Sequence, residues 1–114
     1  MITIWHNPRC SKSRQALALL EESGYTPTVR RYLDDPPDAA ELAAARKALG
    51  AASFQSMIRK GEQVYKDLNL GPDSPDADLL AAVVRHPILI ERPLVFRGDR
   101  AVIGRPPGAI KALL

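Results

Sequence analysis

The sequence predicts an α/β fold built around a mixed β-sheet. Short β-branched and aromatic runs stand near both ends of the chain, and amphipathic helical patterns fill the middle. Composition agrees: 114 residues, 46% hydrophobic and 25% charged, suffice for one globular domain and no second.

The elements follow in order. Ile2 to His6 reads as a strand because it is β-branched, aromatic and apolar, and Asn7-Pro8 stops it. From Ser11 to Ser23 the period becomes helical, with Ala16, Leu17 and Leu20 on one face and Gly24 as the C-terminal stop. Thr28 to Leu33 is a second strand, closed by Asp34-Asp35-Pro36-Pro37. This spacing suits a parallel βαβ unit. Asp38 is the expected N-cap of a helix over Ala39–Leu49 that Gly50 ends. Short helices are expected around Ser53–Arg59 and Glu62–Leu68, and an amphipathic one over Asp76–Arg85. Pro93–Phe96 and Ala101–Gly104 then flank Arg97-Gly98-Asp99-Arg100, a hairpin-turn composition, and Pro106-Pro107 suits the start of a closing helix. The order βαβ, helices, ββα is the plan of a thioredoxin- or glutaredoxin-like domain over residues 1–114. Its helical insertion, over about 38–86, stands where a small redoxin has a short connection.

Charge and cysteine content narrow the function. The net charge of +3 comes from scattered lysines and arginines, which suits small anions or a modest docking patch and not direct nucleic-acid binding. No signal peptide is expected from Met1–Trp5, and no span approaches the roughly 20 apolar residues of a membrane helix, so no membrane partner is expected. A single cysteine excludes an internal disulfide, and the expected location is cytoplasmic, where a thiol stays reduced.

That cysteine, Cys10, lies in "HNPRCSKSR" between the first strand and the first helix. Peptide N–H groups of residues 11–13 would face it unpaired, and the helix end favours a thiolate over a thiol. Arg9, Lys12 and Arg14 add cationic field, and His6 would add more when protonated. The same N–H groups form a receptor for an oxyanion. The alternative is a buried cysteine serving as a small hydrophobe, which its polar bracket disfavours. Cys10-Ser11-Lys12-Ser13 is C-x-x-S, so a resolving thiol must come from outside the chain.

Other candidates are weighed in the same way. His6 is either a strand-end histidine bonded to backbone or a modulator of the thiolate. His86, beside Pro87, reads as structural, and neither histidine has a ligand partner at metal-site spacing. Arg59 in "MIRKG", Arg92 in "LIERPLV" and Arg105 in "IGRPP" stand out among the arginines. Arg92 and Arg105 precede prolines, which hold their backbone extended, and guanidinium forks match tetrahedral oxyanions. Pro93 opens a strand after the helical segment, where thioredoxin-like folds place a cis proline facing the reactive cysteine.

With "IWHNPRCSKSR", "RYLDDPP", "MIRKGE", "YKDLNL", "HPILIERPLV" and "IGRPP" in this order, the chain resembles the glutaredoxin-coupled arsenate reductase family, especially its short members. The resemblance implies that Cys10 is the nucleophile, with His6 and Ser13 supporting its thiolate. Arg59, Arg92 and Arg105 would bind the oxyanion, and Pro93 would be the cis proline. It further implies arsenate as substrate, glutathione as co-substrate, glutaredoxin as partner, and no bound cofactor or metal. Ser11 and Lys12 stand where well-studied members carry smaller or uncharged residues, and the C-terminal extension of longer members is absent. Two other readings follow from the same fold. One is a monothiol oxidoreductase acting on glutathionylated or other oxyanion substrates. The other is a transcription regulator that docks on RNA polymerase, a branch that typically carries C-x-x-C.

Overall fold

A computed structural model describes all residues, 1–114. Its contacts divide the chain into two compact units, residues 1–35 with 92–114, and residues 36–91.

The first unit is built on a four-stranded sheet of order β2-β1-β3-β4. Strand β1 (Ile2–Trp5) is central, parallel to β2 (Thr28–Arg30) and antiparallel to β3 (Leu94–Arg97), which pairs antiparallel with β4 (Arg100–Ile103). The sheet is therefore mixed, in the thioredoxin-like manner. Helix α1 (Ser11–Glu22) crosses between β1 and β2, and buries Ser13, Ala16 and Leu20 at helical spacing. The core joins Ile2, Ile4, Ala16, Leu20, Val95, Ile110 and Leu113. Truncating a fully buried member such as Leu20 to Ala would cost about 2–5 kcal/mol.

Several boundaries differ from the expected ones. Strand β2 stops at Arg30 and not Leu33, because the N–H groups of Asp34 and Asp35 both donate to the Arg31 carbonyl and curl the chain into a turn. Strand β3 begins one residue late, since Pro93 has no N–H to give the ladder. The closing segment Pro107–Leu113 is a 3-10 helix, begun by the Ala109 N–H donating to the Pro106 carbonyl. Gly98 turns the β3–β4 hairpin with φ 63°.

The second unit carries α2 (Ala39–Ala48), α3 (Gln63–Asp67) and α4 (Asp76–Arg85), with 3-10 turns at Phe54–Met57 and Pro87–Leu89. Asp38 caps α2 through a full capping box: its carboxylate accepts from the Glu41 N–H at 2.8 Å, and the Glu41 carboxylate accepts from the Asp38 N–H at 3.1 Å. Helix α4 packs on α2 and on both 3-10 turns. Asp76 accepts from the Ser53 hydroxyl and the Phe54 N–H, which ties the start of α4 to the first turn. Ile58 and Ile90 form an antiparallel bridge, with the Arg59 N–H donating to the Leu89 carbonyl and the Glu91 N–H to that of Met57.

Candidate active site

The loop after β1 is fixed by Asn7. Its side-chain oxygen accepts from the Arg9 N–H, its carbonyl accepts from the Cys10 N–H, and its own N–H donates to the Ser13 hydroxyl at 3.1 Å. The Arg14 guanidinium donates to the Pro8 carbonyl. These bonds leave Cys10 in extended conformation at the N-cap of α1. The thiol is partly exposed, so it is not the sealed hydrophobe of the alternative reading.

Cys10 closes no capping bond of ordinary geometry, yet the Ser13 and Lys12 amides stand close enough to favour its anion. Burial is the largest influence on the thiol and pushes its pKa up. The Ser13 amide, the Arg92 side chain and the Lys12 amide together outweigh it, so the thiol is held below its ordinary value. No carboxylate stands in the first turn of α1 to cancel this field.

Arg92 precedes β3, and its guanidinium interacts with both the Cys10 sulfur and the Tyr32 hydroxyl. Its burial lowers its own pKa, but these two partners raise it by more, so the cation is secure. The Arg92–Pro93 peptide is cis, and so is Arg105–Pro106. The second was not anticipated from the sequence. Gly104 joins the two arginine-bearing loops, its N–H donating to the Pro93 carbonyl at 2.9 Å. A Cβ there would lie 2.8 Å from Pro93 Cγ, closer than real contacts allow, so the position requires glycine. Arg105 is exposed and makes no ion pair.

His6 is buried and its Nδ1 lies 2.6 Å from the Ser13 hydroxyl. Burial first, then the charges of Arg31 and Arg14, lower its pKa. The cationic field expected from a protonated His6 is therefore disfavoured: burial and the two arginines favour the neutral ring. What His6 does is hold Ser13, whose amide faces the sulfur.

Arg59 belongs to the helical unit. Its Nε lies 3.0 Å from Glu62 and its Nη1 3.7 Å from Glu91, so two carboxylates share its charge. Neither was singled out from the sequence, although Glu62 at i+3 is a readable signal. Tyr32 was also missed, read only as a strand residue. No group of three or more His, Cys, Asp or Glu side chains gathers in a way that would hold a metal ion.

Residues 5–113 match the ArsC family. The chain belongs to the ArsC family. Among its relatives are proteins named arsenate reductase from Neisseria meningitidis serogroup A, 49% identical over 99% of this chain and 97% of that one, and from Haemophilus influenzae, 44% identical over 99% and 98%. The solved structure of an arsenate reductase from Vibrio cholerae superposes with TM-score 0.95 at 44% identity, covering 99% of this chain and 97% of that one. Within this ArsC-family chain, the groups that favour the sulfur's anion come from the start of α1, at Lys12 and Ser13, and from the approach to β3, at Arg92.

Proposed function

We propose that this chain is an arsenate reductase that uses Cys10 as its nucleophile and takes its electrons from external thiols. The observation that carries the reading is the convergence of helix N-terminal amides and the Arg92 guanidinium on one partly exposed sulfur. Its family relatives named for arsenate reduction supply the substrate. We read residues 1–114 as one family domain, with about 38–86 as its helical insertion.

The chemistry follows from the groups present. The thiolate attacks As(V), forming an S–As bond while one As–O bond breaks and that oxygen leaves as water after gaining a proton. Arg92 spreads the oxyanion's charge beside the sulfur, and Arg105, free of ion pairs, supplies a second fork. Arg59 serves the oxyanion only in competition with Glu62 and Glu91. Pro93 is the cis proline that follows Arg92. Ser13 presents its amide to the thiolate, and neutral His6 fixes Ser13. With Ser13 where a dithiol enzyme has its second cysteine, a glutathione thiolate must attack the Cys10 sulfur. An S–S bond forms and the S–As electron pair stays with arsenic, now As(III). Glutaredoxin then returns the mixed disulfide to the thiolate. Two external thiols thus lose the two electrons that arsenic gains.

The test is turnover of arsenate with glutathione and glutaredoxin. The wild type should produce arsenite, and Cys10→Ser should fall to the uncatalysed background. Equal rates in the two proteins would end the proposal, and replacement of glutaredoxin by thioredoxin identifies the reductant.

A further inference from the structure

We propose that Asn7 is a positioning residue: its side-chain oxygen holds the turn that clamps Cys10 at the start of α1 and commits the Ser13 hydroxyl to His6. The proposal rests on the reading of Cys10 as nucleophile, and it deepens that reading without needing arsenate to be the substrate.

Burial singles this residue out. Tyrosine and tryptophan aside, the polar side chains buried in the chain are His6, Asn7 and Ser13, at 5%, 7% and 0% exposure. All three lie between residues 6 and 13, around the one cysteine. A buried polar side chain is unfavourable unless its hydrogen bonds are met inside the protein. Three such groups beside the thiol, and none elsewhere, mark a place where the chain forgoes apolar packing for fixed geometry.

The bonds close a ring. The Asn7 side-chain oxygen accepts from the Arg9 N–H, two residues on, at 3.0 Å, which is the bond of an Asx turn. That turn brings the Cys10 N–H to the Asn7 carbonyl, again at 3.0 Å. On its other side Cys10 is held by the first bond of α1, its carbonyl accepting from the Arg14 N–H at 3.0 Å. The Asn7 N–H then donates to the Ser13 hydroxyl at 3.1 Å and fastens the loop to the first turn of the helix. Both peptide groups of Cys10 are tied, and its sulfur is left at a helix end whose unpaired amides favour the anion.

The direction of the remaining bond follows. An amide N–H only donates, so the Ser13 oxygen accepts from Asn7 and has its own proton left to give. Its partner is His6 Nδ1, 2.6 Å away. Nδ1 therefore accepts, and the neutral ring carries its proton on Nε2. Were the turn lost, the Ser13 hydroxyl could rotate and accept from an Nδ1–H instead. Asn7 thus sets a backbone, a hydroxyl and a tautomer together.

Asn7→Ala removes the acceptor of the turn and leaves every backbone group in place. The pH dependence of Cys10 alkylation by iodoacetamide reads the thiolate directly and requires no substrate. In Asn7→Ala the midpoint should move upward, and alkylation at neutral pH should slow about twofold to tenfold, the equivalent of one hydrogen bond. Asn7→Ser, whose hydroxyl makes the same turn more weakly, should recover part of that loss. Nitrogen NMR of isotope-labelled histidine, with the His86 signals assigned by His86→Gln, should show wild-type His6 protonated on Nε2 alone. Asn7→Ala should show a mixture of the two tautomers. Should Asn7→Ala not fold, the wild type decides: its Arg9 amide should exchange slowly with solvent, and His6 should be the Nε2–H form. An unchanged midpoint in Asn7→Ala, even with a lower melting temperature, would overturn the proposal, because an asparagine that only supports the fold gives that result. So would an unchanged tautomer in Asn7→Ala, an Nδ1–H ring in the wild type, or a rapidly exchanging Arg9 amide. A wild-type midpoint at the free-cysteine value of about 8.5 would instead overturn the reading of Cys10 on which the proposal rests. Altered alkylation without arsenate turnover would remove the substrate assignment and leave Asn7 in its role.

Discussion

Helices α1 and α2 begin in opposite ways. At α2, Asp38 and Glu41 satisfy the unpaired N–H groups reciprocally, and an acidic side chain sits against the positive helix end. At α1 the N-cap is Cys10, no side chain closes a capping bond, and no acid stands in the first turn. Asp38 spends the helix end on stability. Cys10 leaves the Ser13 and Lys12 amides facing its own sulfur. One geometrical opportunity thus serves two purposes, and the residue at the cap decides which.

The widest effect expected from this contrast comes from giving α1 the cap of α2. Cys10→Asp should eliminate arsenate turnover and still raise stability by about 1 kcal/mol, because aspartate is a strong N-cap where cysteine is not. The melting temperature should rise by roughly 4 °C. A fall in melting temperature would show that the amides at α1 are not available to a cap. Next in size, Arg92→Ala should weaken arsenate binding about 10- to 100-fold, the equivalent of a charge-assisted hydrogen bond or two. It should also raise the alkylation midpoint of Cys10. Arg59→Ala should weaken binding less, since its charge is already shared with Glu62 and Glu91; an equal loss would make the two arginines equivalent. Asp38→Ala should cost about 1 kcal/mol in urea denaturation and leave the alkylation profile of Cys10 untouched.

The smallest expected effect is in pH dependence. The folded state lowers the pKa of both Cys10 and His6, so between folded and ordinary values the unfolded chain binds more protons. Stability therefore rises with pH through each window. For His6 it is complete above the ordinary value of 6.5 and is lost as acidification approaches the lowered value. For Cys10 the window ends near the ordinary thiol value of about 8.5. Urea midpoints measured from pH 7 down to 5 should fall more steeply in the wild type than in His6→Asn. Identical slopes would remove the histidine from the account.

Much of this was legible in the sequence because it is local. Periodicity gave α1, α2 and α4, the Asp38 cap is visible three residues ahead of Glu41, and Asn7-Pro8 marks the end of β1. Cys10 could be placed at a helix mouth for the same reason. What stayed hidden depends on residues far apart along the chain. Arg92 acts on Cys10 because β3 pairs with β1 in the sheet, and no spacing in the sequence encodes that. The neutral His6 was missed because burial, not neighbouring sequence, sets its protonation. The early end of β2 was missed because Tyr32 and Leu33 have strand-forming side chains, while the bonds to the Arg31 carbonyl turn their backbone away.

Gly104 constrains how such a protein can be redesigned. With Pro93 Cγ 2.8 Å from where its Cβ would be and the Ala16 and Ile110 side chains close by, Gly104 has no room for a side chain, and its N–H bond to the Pro93 carbonyl ties the segment before Arg105 to the one after Arg92. A substitution that gives residue 104 a side chain therefore has to displace the backbone on which both arginines stand. Ser11 and Lys12, exposed at the start of α1, carry no such constraint and can be changed without moving that backbone.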